Sequence, residues 1–424
     1  MNRSLRVLVV LPLYGGSLPI GRYCRNALAS LGHAVETFEA PDFYGAFSAL
    51  KGLRVTAERL DYLEQAFLQV VAQGVLAKAE TFQPDLILAM AQAPLTRQVL
   101  KRLRQAGIPS VMWFVEDFRL FTYWESFAQY YDAFAVIQKE PLLSRLEGIG
   151  QKNALYLPLA ADPDFHKPLT LTSVEKRQYG ADLAFLGAGY PNRRVAFREL
   201  MEFGLKIWGS DWEGDEALSS RVQRGGERIS PTDAVKIFNA TAVNLNLHSS
   251  VTARELVSGG DFVNPRTFEL AMCGAFQLVD ERTLLPELFA PGELATFTDM
   301  AGLKESIRHF LAAPEERRAF AERARERALK EHTYQARMRA LLSFLEDRLE
   351  GWPKPRQEGG AIETLPEAYR SEARELLATL GLTESAPFKD LVWALRAKAG
   401  KLTPVETAIL FLDEWQKQYG TKQD

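Results

Sequence analysis

Cysteine is nearly missing from this 424-residue chain, where Cys24 and Cys273 are the only two. A pair so far apart in sequence gives neither a disulfide framework nor a clustered zinc spacing. No run of about 20 apolar residues is present to span a bilayer. The opening MNRSLRVLVVLPLYGG resembles a signal peptide only superficially. Its apolar run is short, stops at Pro12 and continues into alternating strands and helices, so it reads as a first strand. Excess charge is absent too: the net value is −3, which argues against bulk attraction to nucleic acid or anionic lipid and leaves room only for a local basic cleft. There is no internal repeat and no low-complexity tract. The expectation from these absences is a reduced, soluble, cytoplasmic protein. Its hydrophobic share of 47% and charged share of 25% are those of ordinary globular chains, and its length asks for two domains or two plus an appendage.

The apolar pattern gives the layout. LRVLVVLPL (5–13), PDLILAMA (84–91) and PSVMWFVED (109–117) are near-continuous apolar runs, the mark of strands buried on both faces. AVETFEA (34–40), DAFAVIQ (132–138) and ALYLPL (154–159) join them, with helices between, notably a long one over 55–80. AADPDFHKP (160–168) reads as a linker, after which strands at 181–189, 205–212, 242–250 and 275–280 restart the alternation. Helices follow at 301–312, 314–331 and 335–350. The fold class expected is α/β, with two Rossmann-like, doubly wound parallel sheets facing a cleft. The boundaries expected are 1–165, 166–334, the helix 335–350, a Pro- and Gly-rich linker at 351–365, and a three-helix appendage at 366–424, whose last helix opens with the capping box TPVE.

Ligands of such sheets sit beyond the carboxyl ends of the strands, so the loops after strands carry the functional expectations. In GGDFVNPRTFELAMCGAFQLVDE (259–281) a helix capped by Asn264 starts at Pro265. A helix start offers free N–H groups to a phosphate, and Arg266 adds a cation. Glu269, three residues on, can accept from a ribose diol, and Asp261 from a second sugar. The plain alternative is a solvated Arg266–Glu269 pair with Asp261 as loop decoration. In FLGAGYPNRR (185–194), Gly187 and Gly189 let the backbone approach a ligand, and Arg193 and Arg194 stand where a diphosphate would lie. This is a partial G-x-G-x-x-G, with Asn192 at the third glycine and Asp211 at the distance of a ribose-binding acid. A dinucleotide-dependent oxidoreductase therefore stands as an alternative.

Taken in order, ADLAFLGAGYPNRR, LKIWGSDW, AVNLNLHSS, NPRTFELAMCGAFQLVDE, LFAPGELATFTDMAGLKESIRHFLAAPEERR and EHTYQARM resemble the C-terminal half of a GT-B glycosyltransferase, specifically the CgeB-like (spore maturation protein) family. ILAMAQ and VMWFVEDF resemble that family's N-terminal domain more loosely. The resemblance implies a metal-independent enzyme with no cofactor, moving a sugar from a nucleotide-diphosphate donor, itself a substrate, to an acceptor such as a protein or glycan. It implies two acids with seven residues between them. The second falls on Glu269, for the donor ribose, and the first on Asp261, where Glu is usual. Gly187, Gly189, Arg193 and Arg194 match the loop that meets the donor phosphates. His248 is placed to touch the sugar or diphosphate, or to be a hydrogen-bonded structural histidine. The helix 335–350 resembles the segment that crosses back to the first domain. An inverting enzyme needs a base near the acceptor, and the first domain offers Glu116 and Asp117, of which Asp117 is preferred. The Gly15–Gly16 loop faces the cleft, and the aromatic run WFVEDFRLFTYW (113–124) serves as a sugar-stacking surface or, more plainly, as core. No D-x-D occupies a plausible donor loop. Arg193, Arg194 and Arg266 take over the neutralisation of the leaving diphosphate. A catalytically silent nucleotide-sugar-binding scaffold is the third reading. The tail serves a partner, self-association, or simply as a helical cap.

Overall fold

A computed structural model describes residues 4–251, 256–257, 260–354, 362, 367–384 and 386–419. It falls into two compact units, Met1–Trp352 and Pro353–Asp424.

The first unit contains two all-parallel sheets. The first is built from β1 (Arg6–Val10), β2 (Ala34–Phe38), β3 (Leu86–Met90), β4 (Ser110–Phe114), β5 (Ala133–Val136) and β6 (Ala154–Tyr156), in the order β2-β1-β3-β4-β5-β6. The second has β7 (Ala181–Leu186), β8 (Lys206–Trp208), β9 (Thr241–Asn246), β10 (Gln277–Asp280) and β11 (Ala295–Phe297), in the order β11-β10-β9-β7-β8. The expected fold class is therefore met, and β11 is a short edge strand that the apolar pattern does not announce. The four interior strands of the first sheet are buried along their whole length, whereas β2 and β6 at its edges are only partly covered, as helices on both faces of a parallel sheet require. The strand order switches direction between β1 and β3 in one sheet and between β7 and β9 in the other, which creates two crevices at carboxyl ends of strands.

Local signals set the helix starts. Ser230 Oγ accepts from Asp233 N at 3.1 Å and Asn264 Oδ1 from Thr267 N at 3.1 Å, each satisfying an amide that the helix itself leaves open. Asp233 is too short to complete a capping box. Its carboxylate instead takes Tyr179 Oη and Arg224 Nη1. The helix Tyr334–Arg348 returns to the first sheet. Tyr334, Met338, Leu341, Leu342 and Leu345 share one buried cluster with Leu5, Val7 and Tyr23, and with Phe268, Ala271 and Met272 from the second half. The helix Pro265–Met272, which follows β9, thus has one face anchored in the core shared by the two sheets. The aromatic run is likewise mostly core: Trp113, Phe114, Phe118 and Trp124 are buried.

The second unit holds the helices Glu367–Thr379, Phe388–Ala397 and Pro404–Tyr419 around Leu377, Leu391 and Leu395. Its TPVE capping box forms, with Thr403 N donating to Glu406 Oε2 at 2.8 Å and Glu406 N to Thr403 Oγ1 at 3.3 Å. Most of the expected 351–365 linker lies outside the described residues. Among the described residues, no helix is long and apolar enough to cross a membrane.

Candidate active site

The second crevice opens where β7 and β9 end, and the residues singled out in the sequence collect around it in unequal roles. His248 follows β9 and is fully buried. Its Nδ1 faces Asp280 Oδ1 at 2.6 Å, and Asn264 N donates to its Nε2 at 2.9 Å. Accepting at Nε2 places the ring proton on Nδ1, so both nitrogens are used inside the protein. Burial lowers the His248 pKa, and Asp280 only partly offsets this. Of the two roles expected for His248, the structure supports the structural one: it fixes the amide that precedes the helix start. Asp280 also pairs with Arg282 Nη2 at 2.6 Å. Burial pushes the Asp280 carboxyl up, but His248 and Arg282 outweigh it and hold the group below its ordinary value.

The glycine–arginine loop likewise turns inward. Gly187 N donates to Trp208 O and Gly189 N to Ser210 O, so these amides are not held open for a ligand. A Cβ on Gly189 would lie 2.0 Å from Asp211 O; the glycine is needed because two loops touch there. Arg193 is buried and clamps Leu247 O through Nε and Nη2 at 3.0 and 2.7 Å, and Ala188 O through Nη1 at 3.0 Å. Arg194 is spent on the carbonyls of Gly189, Asp211 and Glu213. This geometry weighs against the expectation that both arginines grip a diphosphate: three of the five N–H donors of Arg193 go to the carbonyls of Leu247 and Ala188, and Arg194 spends three on those of Gly189, Asp211 and Glu213. Burial pushes Arg193 down to about 10, and Arg266 and Arg282 add repulsion against the attraction of Asp280. Arg266 and Arg282 thus lie within electrostatic reach of the glycine–arginine loop. Asn192, at the third-glycine place, donates to His248 O and accepts from Ser250 N. Asp211 has φ 64° and its carboxylate accepts from Ser210 Oγ.

Arg266 and Glu269 remain partly exposed on the helix Pro265–Met272. Arg266 Nη1 meets Glu269 Oε2 at 2.5 Å and its guanidinium lies 4.6 Å from the centre of the Phe238 ring. Glu269 Oε1 is 3.9 Å from His166 Nε2. His166 lies in the segment read as a linker, yet both it and Asp162 are buried, with Asp162 N donating to His166 Nδ1 at 3.1 Å. Its Tyr23 neighbour, 5.1 Å away ring to ring, comes from the first half. A histidine amid a polar proline-bearing stretch is the one clue to this junction that the sequence carries. Asp261 behaves otherwise than expected: it accepts from Gln138 Nε2 at 2.8 Å and Lys139 N at 3.1 Å, tying the loop before the helix to the end of β5. The aspartate thereby tethers the two lobes.

In the first crevice, Asp117 is chelated by Arg119, through Nε at 3.0 Å and Nη2 at 2.7 Å, so the preferred base is engaged in a salt bridge. Its neighbour Glu116 is half-buried and bonded to Tyr123 Oη at 3.0 Å and to Gln92 Nε2. Burial raises the Glu116 carboxyl above its usual range, more than Tyr123 and Gln92 lower it. Gln92 follows β3 with φ 63°, and its Oε1 lies 3.9 Å from where a Cβ on Gly15 would be. Gly15, in the left-handed region at φ 104°, accepts from Arg228 Nη2 of the second half at 3.2 Å, and Gly16 follows it, exposed.

Residues 170–343 match the family model described as glycosyl transferase-like. The chain is 26% identical over 261 residues to spore protein CgeB of Bacillus subtilis (strain 168), covering 58% of this chain and 78% of that relative. Among solved structures it is similar to a glycosyltransferase from Rickettsia africae (TM-score 0.56, 11% identity, 82% of this chain and 100% of that one). It is also similar to sucrose-phosphate synthase from Thermosynechococcus elongatus (0.55, 14%, 81% and 99%), and to Anabaena Alr3699/HepE in complex with UDP and glucose (0.54, 14%, 81% and 100%). The structural likenesses show the GT-B fold.

Proposed function

We propose that this chain, a CgeB-like glycosyltransferase of GT-B fold, moves a sugar from a nucleoside-diphosphate donor on its second lobe to an acceptor hydroxyl on its first, without a metal. The observation that carries the reading is the helix Pro265–Met272. It starts at the second crevice, keeps Arg266 and Glu269 partly exposed, and has its start fixed by His248 and Asn264. Glu269 accepts the ribose hydroxyls. The helix start and Arg266 offset the diphosphate, whose charge grows as it leaves. Arg193, buried and bonded to carbonyls, contributes field and shape to the crevice, not contacts. That a HepE structure holds UDP and glucose supports the donor class.

In the transfer the acceptor oxygen forms a bond to the anomeric carbon. The bond from that carbon to the terminal phosphate oxygen breaks, and the nucleoside diphosphate departs with the electron pair. The acceptor proton goes to a carboxylate, and we assign that role to Glu116 in place of Asp117. Half-burial and a raised pKa suit a group that must take up a proton, whereas Asp117 is chelated by an arginine.

Thermal-shift titration with uridine, guanosine, adenosine, thymidine and cytidine diphosphates and with NADH tests the donor site. A true ligand at a hundred times its Kd adds about 2.7 kcal/mol of stability. At least one nucleoside diphosphate is expected to raise the melting point, and Glu269→Ala to abolish the shift. Stabilisation by NADH alone overturns the reading.

A further inference from the structure

Two tyrosines stand uncovered at the mouth of the first crevice. Tyr14 follows β1 and Tyr44 opens the short helix Tyr44–Ala49 beyond β2. They are 49% and 41% exposed, and their ring centres lie 5.0 Å apart with planes inclined by 46°. Scattered exposed aromatics need no explanation. This pair differs because of its position. The next residue after Tyr14 is Gly15, whose carbonyl receives Arg228 from the opposite lobe, so the tyrosines border the gap between the lobes. On the inner side, the Gln92 side chain lies against Gly15 and donates to Glu116. One short path of contacts therefore links the aromatic pair, the glycine turn and the carboxyl group assigned to proton removal. Among the described residues, neither tyrosine hydroxyl has a hydrogen-bond partner.

We infer that Tyr14 and Tyr44 form an acceptor platform and that the acceptor is a carbohydrate, one ring of which stacks on the pair while a hydroxyl of that sugar or its neighbour reaches Glu116. A sugar ring offers an apolar C–H face and a polar rim. A tyrosine offers an apolar ring and a wet tip, so the two match without burying an unsatisfied group. Two rigid rings supply this contact at small entropic cost. A peptide acceptor has no comparable flat C–H face. The inference rests on the glycosyltransferase reading above.

The test uses the full chain with chitotetraose, cellotetraose and maltotetraose as probes, read by saturation-transfer NMR with irradiation of the protein aromatic protons. Ring-proton signals are expected for at least one tetrasaccharide. They should fall at least about tenfold in Tyr14→Ala and Tyr44→Ala and persist in Tyr14→Phe, which keeps the ring. Circular dichroism and nucleoside-diphosphate thermal shift in the same samples confirm that each variant is folded and its donor site intact. No signal from any tetrasaccharide in a protein that still binds a nucleoside diphosphate overturns the inference and leaves the donor reading standing. So does co-sedimentation with phosphatidylglycerol vesicles that Tyr14→Ala abolishes. Tetrasaccharide binding without any nucleoside-diphosphate binding sinks the donor reading and keeps the platform.

Discussion

Replacing Asp280 by alanine would remove the one carboxylate around which the second crevice is organised. That group is fully buried and accepts from His248 N at 2.8 Å and Arg282 Nη2 at 2.6 Å, with His248 Nδ1 at 2.6 Å. Its loss leaves the buried Arg282 guanidinium without this counter-charge, and breaking one side of a buried ion pair costs about 3–5 kcal/mol. That is a large part of the roughly 5–15 kcal/mol that holds a typical domain folded. At about 2 °C per kcal/mol, the low end for larger domains, the melting point should drop by roughly 6–10 °C. A second effect follows from the His248 ring: without Asp280 to hold Nδ1, Nε2 no longer fixes Asn264 N, and the helix start carrying Arg266 and Glu269 loosens. Differential scanning fluorimetry would read the first effect and nucleoside-diphosphate titration the second. The double replacement Asp280→Leu with Arg282→Met should recover much of the melting point, since it removes the stranded charge as well. A single Asp280→Ala variant that melts within about 2 °C of the parent and binds nucleotide equally well would refute this reasoning.

Stability should also decline on acidification. Burial lowers His166 and His248 from their ordinary value and lowers His332 to about 4. Below about 6.5 the unfolded chain takes up protons at these sites while the folded one does not, so stability present at neutral pH is lost as pH falls from there toward 4. The slope approaches about 4 kcal/mol per pH unit where all three differ, and melting curves between pH 7 and 4.5 check it; a flat profile would count against the burial argument. For Glu116→Gln, transfer to acceptor should fall about 10²- to 10⁴-fold with nucleoside-diphosphate binding unchanged. In the parent, transfer should rise with pH through a value above the usual carboxylate range, because burial raises this group. If Asp117→Asn produces that loss and Glu116→Gln does not, the assignment reverts to Asp117.

Periodicity and capping are local properties, and the sequence by itself determined what depends on them. The apolar runs at β1, β3 and β4 announced buried parallel strands. Asn264 with Pro265 announced a helix start, and TPVE a capping box that forms as written. Short edge strands such as β11 escaped because three residues in contact with one neighbour carry little pattern. The order of the strands, and hence which loops share a crevice, is not written in any one segment. Only the tertiary structure decided which charges are free to act. Arg193 and Arg194 carry the same guanidinium as Arg266, but the carbonyls of Leu247, Ala188, Gly189 and Glu213 meet them there. Asp117 and Glu116 are adjacent carboxylates with different surroundings: an arginine chelates the first, and burial raises the pKa of the second. His166 and Asp261 become junction residues through partners more than 100 positions away, Glu269 in one case and Gln138 in the other. A residue type fixes what a side chain can bond. What it does bond depends on the neighbours folding brings within about 3 Å, which residues distant in sequence supply.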